Sequence, residues 1–325
     1  MSSEKSLKNF KKYSFLIGFV ILAAIINRLN FTNIYTSLRE TNLSLVIVGI
    51  IFLIPVILIK AWRWNYLKKI QGINYKFWDS FIIYQIGLAI GSVTPGQIGE
   101  LIKIYYLKTR CSIGKSLVSI LVDRFMDVFY LIIVGYFGII IYLREVGTKL
   151  NIIYIFLLFS LILIIFGIHR DWHKKIGKFF FNKLMPLKYQ MMWEENFSDF
   201  LNDLKLISIN KYLNASILTV LGWLAYYFQV YILTLSIGLE IPLMKLALAL
   251  TAVGLLSLLP ISFLGIGTRE AALILILKPF ADIPAIIIFS QLILLTNIFS
   301  ILMGLVFLKI RPLPFKIKNY EPLEK

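Results

Sequence analysis

The chain has 325 residues, 59% of them hydrophobic, and a formal net charge of +17. So large an apolar share excludes a soluble globular protein of this length, which must present a polar face to water. The basic excess lies between apolar blocks without an aromatic-and-basic RNA-binding motif, so it points to anionic lipid head groups and not to nucleic acid.

The apolar blocks occupy residues 13–29, 43–61, 77–93, 117–142, 151–168, 212–237, 243–259, 270–278 and 284–309. Most have the length that crosses a bilayer, roughly 17–25 residues. The first closes with Ile25-Ile26-Asn27-Arg28 and no small-residue cleavage site follows, so it reads as a retained span and not a signal peptide. Lys5, Lys8, Lys11 and Lys12 place the N-terminus in the cytoplasm by the positive-inside rule. The loop with Arg28, Arg39 and Glu40 is then external. The connection with Lys60, Arg63, Lys68, Lys69 and Lys76 is internal. Trp62-Arg63-Trp64 reads as an aromatic-belt anchor with a snorkelling arginine at that edge.

The segment after 77–93 is basic again, with Lys103, Lys108, Arg110 and Lys115. A plain span would put it on the wrong side. A helical hairpin solves this, entering at about Phe77, turning at Thr94-Pro95-Gly96 and returning by about Lys108. Cys111 is then cytoplasmic and offers a labelling check of topology. As the single cysteine, it also excludes an intrachain disulfide and a cysteine metal site. Span 117–142 goes out and span 151–168 comes back to a basic loop, 169–211. In that loop Trp172, Ile176, Phe179, Phe180 and Leu184 repeat at helical spacing, as in an interfacial or packed amphipathic helix. His169 and His173 are spaced i,i+4, but without an H-E-x-x-H pattern they read as solvated loop side chains. Span 212–237 goes out, and 243–259 starts a second hairpin, entered from outside, that turns through Leu259-Pro260 and Gly265-Ile266-Gly267 into 270–278. Span 284–309 runs inward to a basic cytoplasmic tail.

The expected fold is therefore all-α: a polytopic membrane helix bundle of about six full spans plus two re-entrant hairpins of opposite entry, an inverted-topology repeat. It forms one integral-membrane domain, 1–325, with a first half 1–168, the loop 169–211, a second half 212–310 and the tail 311–325. Both termini are cytoplasmic and the location is the plasma membrane.

The interrupted segments carry the functional expectation. Thr94 is placed to cap a helix, Pro95 suits its first position, and Gln97 stands at capping-box spacing, with Glu100 one turn in. Gly265-Ile266-Gly267-Thr268 opens the second such helix, with Thr268 as its cap. Helix N-termini of this kind bind anionic groups. Charges within apolar runs face a cavity or one another. Arg124 and Asp127 are i,i+3 and suited to pairing along one face. Arg269 and Glu270 are adjacent, point apart and need partners elsewhere; Arg269 is the best phosphate ligand. The G-x-G of 265–267 lacks the strand and Gly-Lys-Ser/Thr of a nucleotide loop, and no catalytic Ser/His/Asp arrangement stands out.

At these residues the sequence resembles the lysylphosphatidylglycerol synthase transmembrane, or flippase-like domain, family. The resemblance rests on Trp62-Arg63-Trp64, Thr94-Pro95-Gly96-Gln97-Ile98-Gly99-Glu100, Asp123-Arg124 with Asp127, Leu259-Pro260, and Gly265-Ile266-Gly267-Thr268-Arg269-Glu270. It covers most of the chain. It implies lipid handling, with Gly99, Glu100, Arg124, Gly267, Arg269 and Glu270 at shared motif positions. Only the membrane part is expected, with a short tail in place of a soluble aminoacyl-transfer domain, so synthase activity does not carry over. The reading is a flippase-like protein that binds and translocates an anionic or phosphate-bearing phospho- or polyprenyl lipid. Its expected head-group site comprises Thr94, Pro95, Gly96, Gly99, Glu100, Arg124, Asp127, Gly265, Gly267, Thr268, Arg269 and Glu270. No catalytic residue, metal or cofactor is expected. The alternatives are a membrane-embedded enzyme whose Asp123 and Asp127 hold Mg²⁺ on a lipid phosphate, or an accessory protein whose partner is a lipid glycosyltransferase.

Overall fold

The computed structural model describes residues 41–142, 209–258, 262 and 264–313, together with residues 199, 202 and 203. The expected spans 13–29 and 151–168, the histidines and amphipathic stripe of the loop, Leu259-Pro260 and the tail beyond residue 313 lie outside the described residues. Among the described residues every element is helical: α1 Leu43–Ile51, α2 Leu53–Ile70, α3 Phe77–Ser92, a 3-10 segment Pro95–Ile102, α4 Lys103–Leu107, α5 Ile113–Tyr142, α6 Ile209–Ser236, α7 Leu243–Ser257, α8 Thr268–Leu277 and α9 Ile283–Ile310.

Among the described residues three stretches are long and apolar enough to cross a membrane: Leu43–Ile70, which joins α1 and α2, then Leu213–Ser236 and Ile283–Ile310. Helix α5 is also long, but Asp123, Arg124 and Asp127 interrupt its apolar run. The polarity of the bundle is inverted relative to a soluble protein. Leu213, Ile217, Leu221, Leu224 and Phe228 on α6, and Ile298, Leu302, Leu305 and Val306 on α9, form exposed apolar stripes at i,i+3 and i,i+4 spacing. Arg63, Lys68, Glu100, Lys103, Asp123, Asp127, Arg269 and Glu270 are buried. That is the distribution a hydrocarbon solvent demands, because polar groups there must be satisfied inside the protein.

Helix α3 doubles back onto the 3-10 segment and α4, and α7 doubles back onto α8, so each half of the chain contributes one helical hairpin. The first is seated on α9. Ser300 and Gly304 form a small-residue face there, of the kind that lets membrane helices approach closely. A Cβ on Gly304 would collide with Ala89 and fall 2.9 Å from the Gln85 carbonyl oxygen. Gln85 Nε2 donates to the Ser300 carbonyl at 2.6 Å and to its hydroxyl at 3.0 Å, which satisfies its buried NH2 group.

The hairpins start from opposite ends of the bundle. Asn42 N donates to Ser236 O at 2.7 Å, so the start of α1 and the end of α6 lie together, and α7 begins there. Helix α3 begins at the other end, just after Ile70, where Asp79 pairs with Arg311 at the end of α9.

Candidate functional site

The tips of the two hairpins meet over one cavity of about 250 Å³. The first supplies Thr94, Gly96 and Gln97, and the second supplies Ser262, Leu264, Gly265, Thr268 and Arg269. A Cβ on Gly96 would lie 3.6 Å from the Leu258 carbonyl oxygen, so the tips are in direct contact. The three long apolar stretches contribute their middle turns, with Val56, Ile57 and Lys60 from the first, Trp223 and Tyr226 from the second, and Ile293, Asn297 and Ser300 from the third. Three cations face the space: Lys60, Arg124 and Arg269.

The first tip is not the α-helix start that Thr94, Pro95 and Gln97 suggest. Residues Pro95–Ile102 form a 3-10 segment with Gly96 at φ 61° and Gln97 at φ 57°. Thr94 Oγ1 accepts from Gly99 N at 2.7 Å and not from the second or third residue of a helix. The capping box is absent because the Gln97 side chain is used elsewhere: its Oε1 accepts from Arg124 Nη1 at 2.7 Å. Two consecutive left-handed residues tighten the turn. At Gln97, which has a side chain, that conformation is uncommon and needs support from its surroundings.

Glu100 turns inward and is 3% exposed. It accepts from Arg124 Nε at 2.9 Å, and Arg124 Nη2 reaches its other oxygen. Lys103 Nζ lies 2.8 Å from Glu100 Oε2. Two glycines of α3 leave the room: a Cβ on Gly91 would fall 2.6 Å from Glu100 Cγ, and one on Gly87 2.6 Å from Lys103 Cε. Lys103 lies over the Tyr84 ring at 4.5 Å, as a desolvated ammonium does against an aromatic face.

At the second tip Leu264, Gly265 and Gly267 have φ of 54°, 73° and 82°. Gly267 is the N-cap of α8 and Thr268 is its first residue, so Thr268 does not cap; its hydroxyl reaches Gly265 O at 3.2 Å and the Ser262 hydroxyl at 2.6 Å. Glu270 Oε2 accepts from Gly267 N at 2.5 Å. Arg269 and Glu270 do find each other, contrary to the expectation from adjacency. Arg269 Nη2 donates to Glu270 Oε1 at 3.0 Å, Arg269 Nε donates to Ser290 Oγ at 2.6 Å, and Ser290 donates on to Glu270 at 2.5 Å. Long side chains converge where backbone direction alone would separate them, because Ser290 of α9 supplies the common point.

Arg63 is the largest correction. It does not snorkel: it is fully buried. Its Nε donates to Asp123 Oδ1 at 2.8 Å, and Nη1 and Nη2 donate to the two oxygens of Asp127 at 2.8 and 2.9 Å. Nη1 also reaches the Thr219 hydroxyl at 3.1 Å, and Trp223 Nε1 donates to Asp127 at 3.0 Å. Asp127 therefore pairs with Arg63 across helices and not with Arg124 along its own helix. The pair that an i,i+3 count suggests is replaced by Arg63–Asp127 and Arg124–Glu100.

The family model for the lysylphosphatidylglycerol synthase TM region matches residues 13–307. The chain belongs to this family. Its relatives include a UPF0104 membrane protein of Methanocaldococcus jannaschii, 25% identical over 83% of this chain and 85% of that protein. Similar are a UPF0104 membrane protein of Pyrococcus horikoshii, 25% identical over 80% and 84%, and one of Methanothermobacter thermautotrophicus, 22% identical over 80% and 82%.

Within this member of the lysylphosphatidylglycerol synthase TM family, the motif residues come together from both halves. Thr94, Gly96, Arg124, Asp127, Gly265, Thr268 and Arg269 line the cavity, while Glu100 and Glu270 stand behind its arginines. Gly99 packs inside the first tip, a Cβ there falling 2.5 Å from Ile90 O. Lys60, placed by loop charge in a cytoplasmic connection, is instead a cavity residue. Its ammonium rests 4.5 Å from the centre of the Trp223 ring and has no carboxylate within salt-bridge distance among the described residues. The signal was present: a lysine at the end of the apolar block 43–61, directly ahead of Trp62 and Trp64. Among the described residues no group of three or more His, Cys, Asp and Glu gathers to hold a metal, and Arg63 takes both oxygens of Asp127 and one of Asp123.

Proposed function

We propose that the protein holds the phosphate-bearing head group of an anionic lipid in this cavity and passes the lipid between leaflets. The observation that carries the reading is the meeting of two hairpin tips, one from each half of the chain, over a space faced by Lys60, Arg124 and Arg269. The middle turns of three long apolar stretches line the same space, which puts it near mid-bilayer if those stretches cross. Interrupted segments meeting at the centre are how transporters with inverted repeats build substrate sites. Two further parallels support that relationship. Each tip carries a consecutive left-handed pair, Gly96-Gln97 and Leu264-Gly265, and each holds an arginine–glutamate pair.

In this reading the hairpins 77–107 and 243–277 are re-entrant, and the spans number about six. The more basic end, with Lys69, Lys76, Lys108 and Arg110, is cytoplasmic, which leaves outside the opposite end, where Lys245 and Lys278 are matched by Glu240 and Asp282. The membrane is the plasma membrane. Arginine is suited to the head group because its planar fork meets phosphate oxygens in pairs. The exposed apolar stripes of α6 and α9 leave the lipid tails in hydrocarbon.

The test is transbilayer movement of a head-group-labelled anionic phospholipid in reconstituted vesicles. Wild-type protein should accelerate it over empty vesicles, and Arg269→Ala and Glu100→Ala should each lower the rate at unchanged reconstitution. Equal rates for all three proteins would overturn the reading.

A further inference from the structure

Three basic side chains line the cavity, and they are held differently. Arg124 is paired with Glu100, and Arg269 with Glu270. Lys60 has no such partner among the described residues. Its Nζ rests 4.5 Å from the centre of the Trp223 ring. That ring is itself fixed: Tyr130 stacks on it at 5.6 Å, and its Nε1 donates to Asp127 at 3.0 Å. Gly222 of α6 makes the room, since a Cβ there would come 3.3 Å from Lys60 Cγ.

The charged groups of α2 and α5 around Lys60 are Arg63, Asp123, Asp127 and Arg124. Arg63 takes both oxygens of Asp127 and one of Asp123, which leaves Asp123 Oδ2 buried without a hydrogen-bond partner. Arg269 of α8 and the Tyr226 phenol of α6 face the same space, while α3, α7 and α9 bring no charged side chain to its wall. Lys68 and Lys103 are buried but do not line the cavity. A guanidinium keeps its proton throughout, whereas a lysine in a membrane-buried site can exchange its own. An anion within about 4–6 Å favours the protonated form.

Building on the lipid-head-group reading, we infer that a proton joins Lys60 as the lipid phosphate enters the cavity, so that the protein moves an anionic lipid together with one proton and no net charge. The Nζ lone pair takes the proton from water on the side where the lipid enters, forming an N–H bond. The same proton returns to water on the other side when the phosphate leaves. Arg124 and Arg269 bind the head group but carry nothing across, because each keeps its proton and its glutamate. The coupling is reciprocal: the lipid favours the proton, and the proton favours the lipid. A phosphodiester keeps its single charge in the neutral range, unlike a phosphomonoester, whose second pKa is about 6. Affinity for a phosphodiester should therefore fall with rising pH wherever binding takes up the proton, by at most about tenfold per pH unit.

The experiment measures proton uptake with an indicator dye when short-chain phosphatidylglycerol is added to purified protein in weakly buffered detergent. Water-soluble glycerophosphoglycerol is a separate arm. Wild type should take up a proton as it binds the lipid, and its affinity should fall as pH rises by up to about tenfold per unit. Lys60→Arg should bind the lipid without uptake and with an affinity that does not follow pH. Lys60→Gln should bind more weakly, again without uptake. Unfolding midpoints within a few degrees of wild type show that both variants are folded. In vesicles, acid on the side of the labelled lipid should speed transbilayer movement by wild type but not by Lys60→Arg, and a potassium diffusion potential should leave the wild-type rate unchanged.

Lipid binding by wild type with no proton uptake at any pH would overturn the coupling and leave the lipid site standing. Equal uptake by wild type and Lys60→Arg would put the proton on another group, such as Glu100, Lys103 or Asp123, and overturn the role of Lys60. A rate that follows the potential and ignores the acid gradient would overturn the charge-neutral exchange. Glycerophosphoglycerol bound as tightly as the lipid would overturn the assignment to a lipid. No phospholipid bound by wild type, and no transbilayer movement, would overturn the underlying reading itself.

Discussion

Buried charge in this protein is held by exchange of partners between helices, and Arg63 is the centre of the tightest example. Removing it leaves Asp123 and Asp127 without their cation. Arg63→Leu is expected to destabilise the fold by about 3–5 kcal/mol, read as a fall in the thermal unfolding midpoint in detergent. Lys60 makes the opposite case. Its contact is the Trp223 ring, so Lys60→Gln should cost about 1–2 kcal/mol at most. It should nonetheless weaken anionic-lipid binding clearly, with at most a fall of a few degrees in the unfolding midpoint. Cys111 does not serve as the labelling check that its position suggests. It is 7% exposed, lies 3.3 Å from the Ser116 hydroxyl, and burial pushes its thiol above the ordinary value. Its alkylation in the folded protein should be slow at neutral pH, because the reactive thiolate is scarce, and should become fast after unfolding in SDS. Fast labelling of the native protein would contradict the burial.

At the scale of elements, glycine decides how closely the first hairpin seats. Gly304 of α9 meets Ala89 and the backbone of α3. Backbone cannot step aside, so Gly304→Ala should separate the helices and cost about 1–3 kcal/mol. Gly91 meets the flexible side chain of Glu100 instead. Gly91→Ala should change stability less and activity more, because the displaced carboxylate loses its grip on Arg124. Paired unfolding and vesicle assays on the two variants test this contrast; identical effects would refute it. The 3-10 segment belongs here as well. Thr94-Pro95-Gly96-Gln97 has the composition of a helix start, yet Arg124 on another helix takes the Gln97 side chain. A tertiary hydrogen bond overrides the local motif.

For the whole molecule, the bundle has two ends of different charge. The connections at residues 71–76 and 108–112 share one end with Arg311, and residues 237–242 lie at the other. With Cys111→Ser as background, cysteines at Lys76 and Lys108 should react with a membrane-impermeant reagent from the same side, and one at Glu240 from the opposite side. A plain span at 77–93 would instead split Lys76 from Lys108. The helical membrane class, the positions of the hairpins and most of the cavity-lining motif residues are legible in the amino-acid sequence, because apolar block length and loop charge are local signals.

What the amino-acid order determined alone is therefore the material: apolar helices, two interrupted segments, and a short roster of charges too costly to leave in hydrocarbon. Tertiary structure decided who pairs with whom. Helical periodicity reports only which residues share a face of one helix, so it suggested Arg124 with Asp127 and set Arg269 apart from Glu270. The partners that form, Arg63 with Asp123 and Asp127, Arg124 with Glu100, and Arg269 with Glu270 through Ser290, depend on helices meeting side by side. Coulomb attraction in a dry interior selects the nearest carboxylate in space, and nearness in space is set by packing.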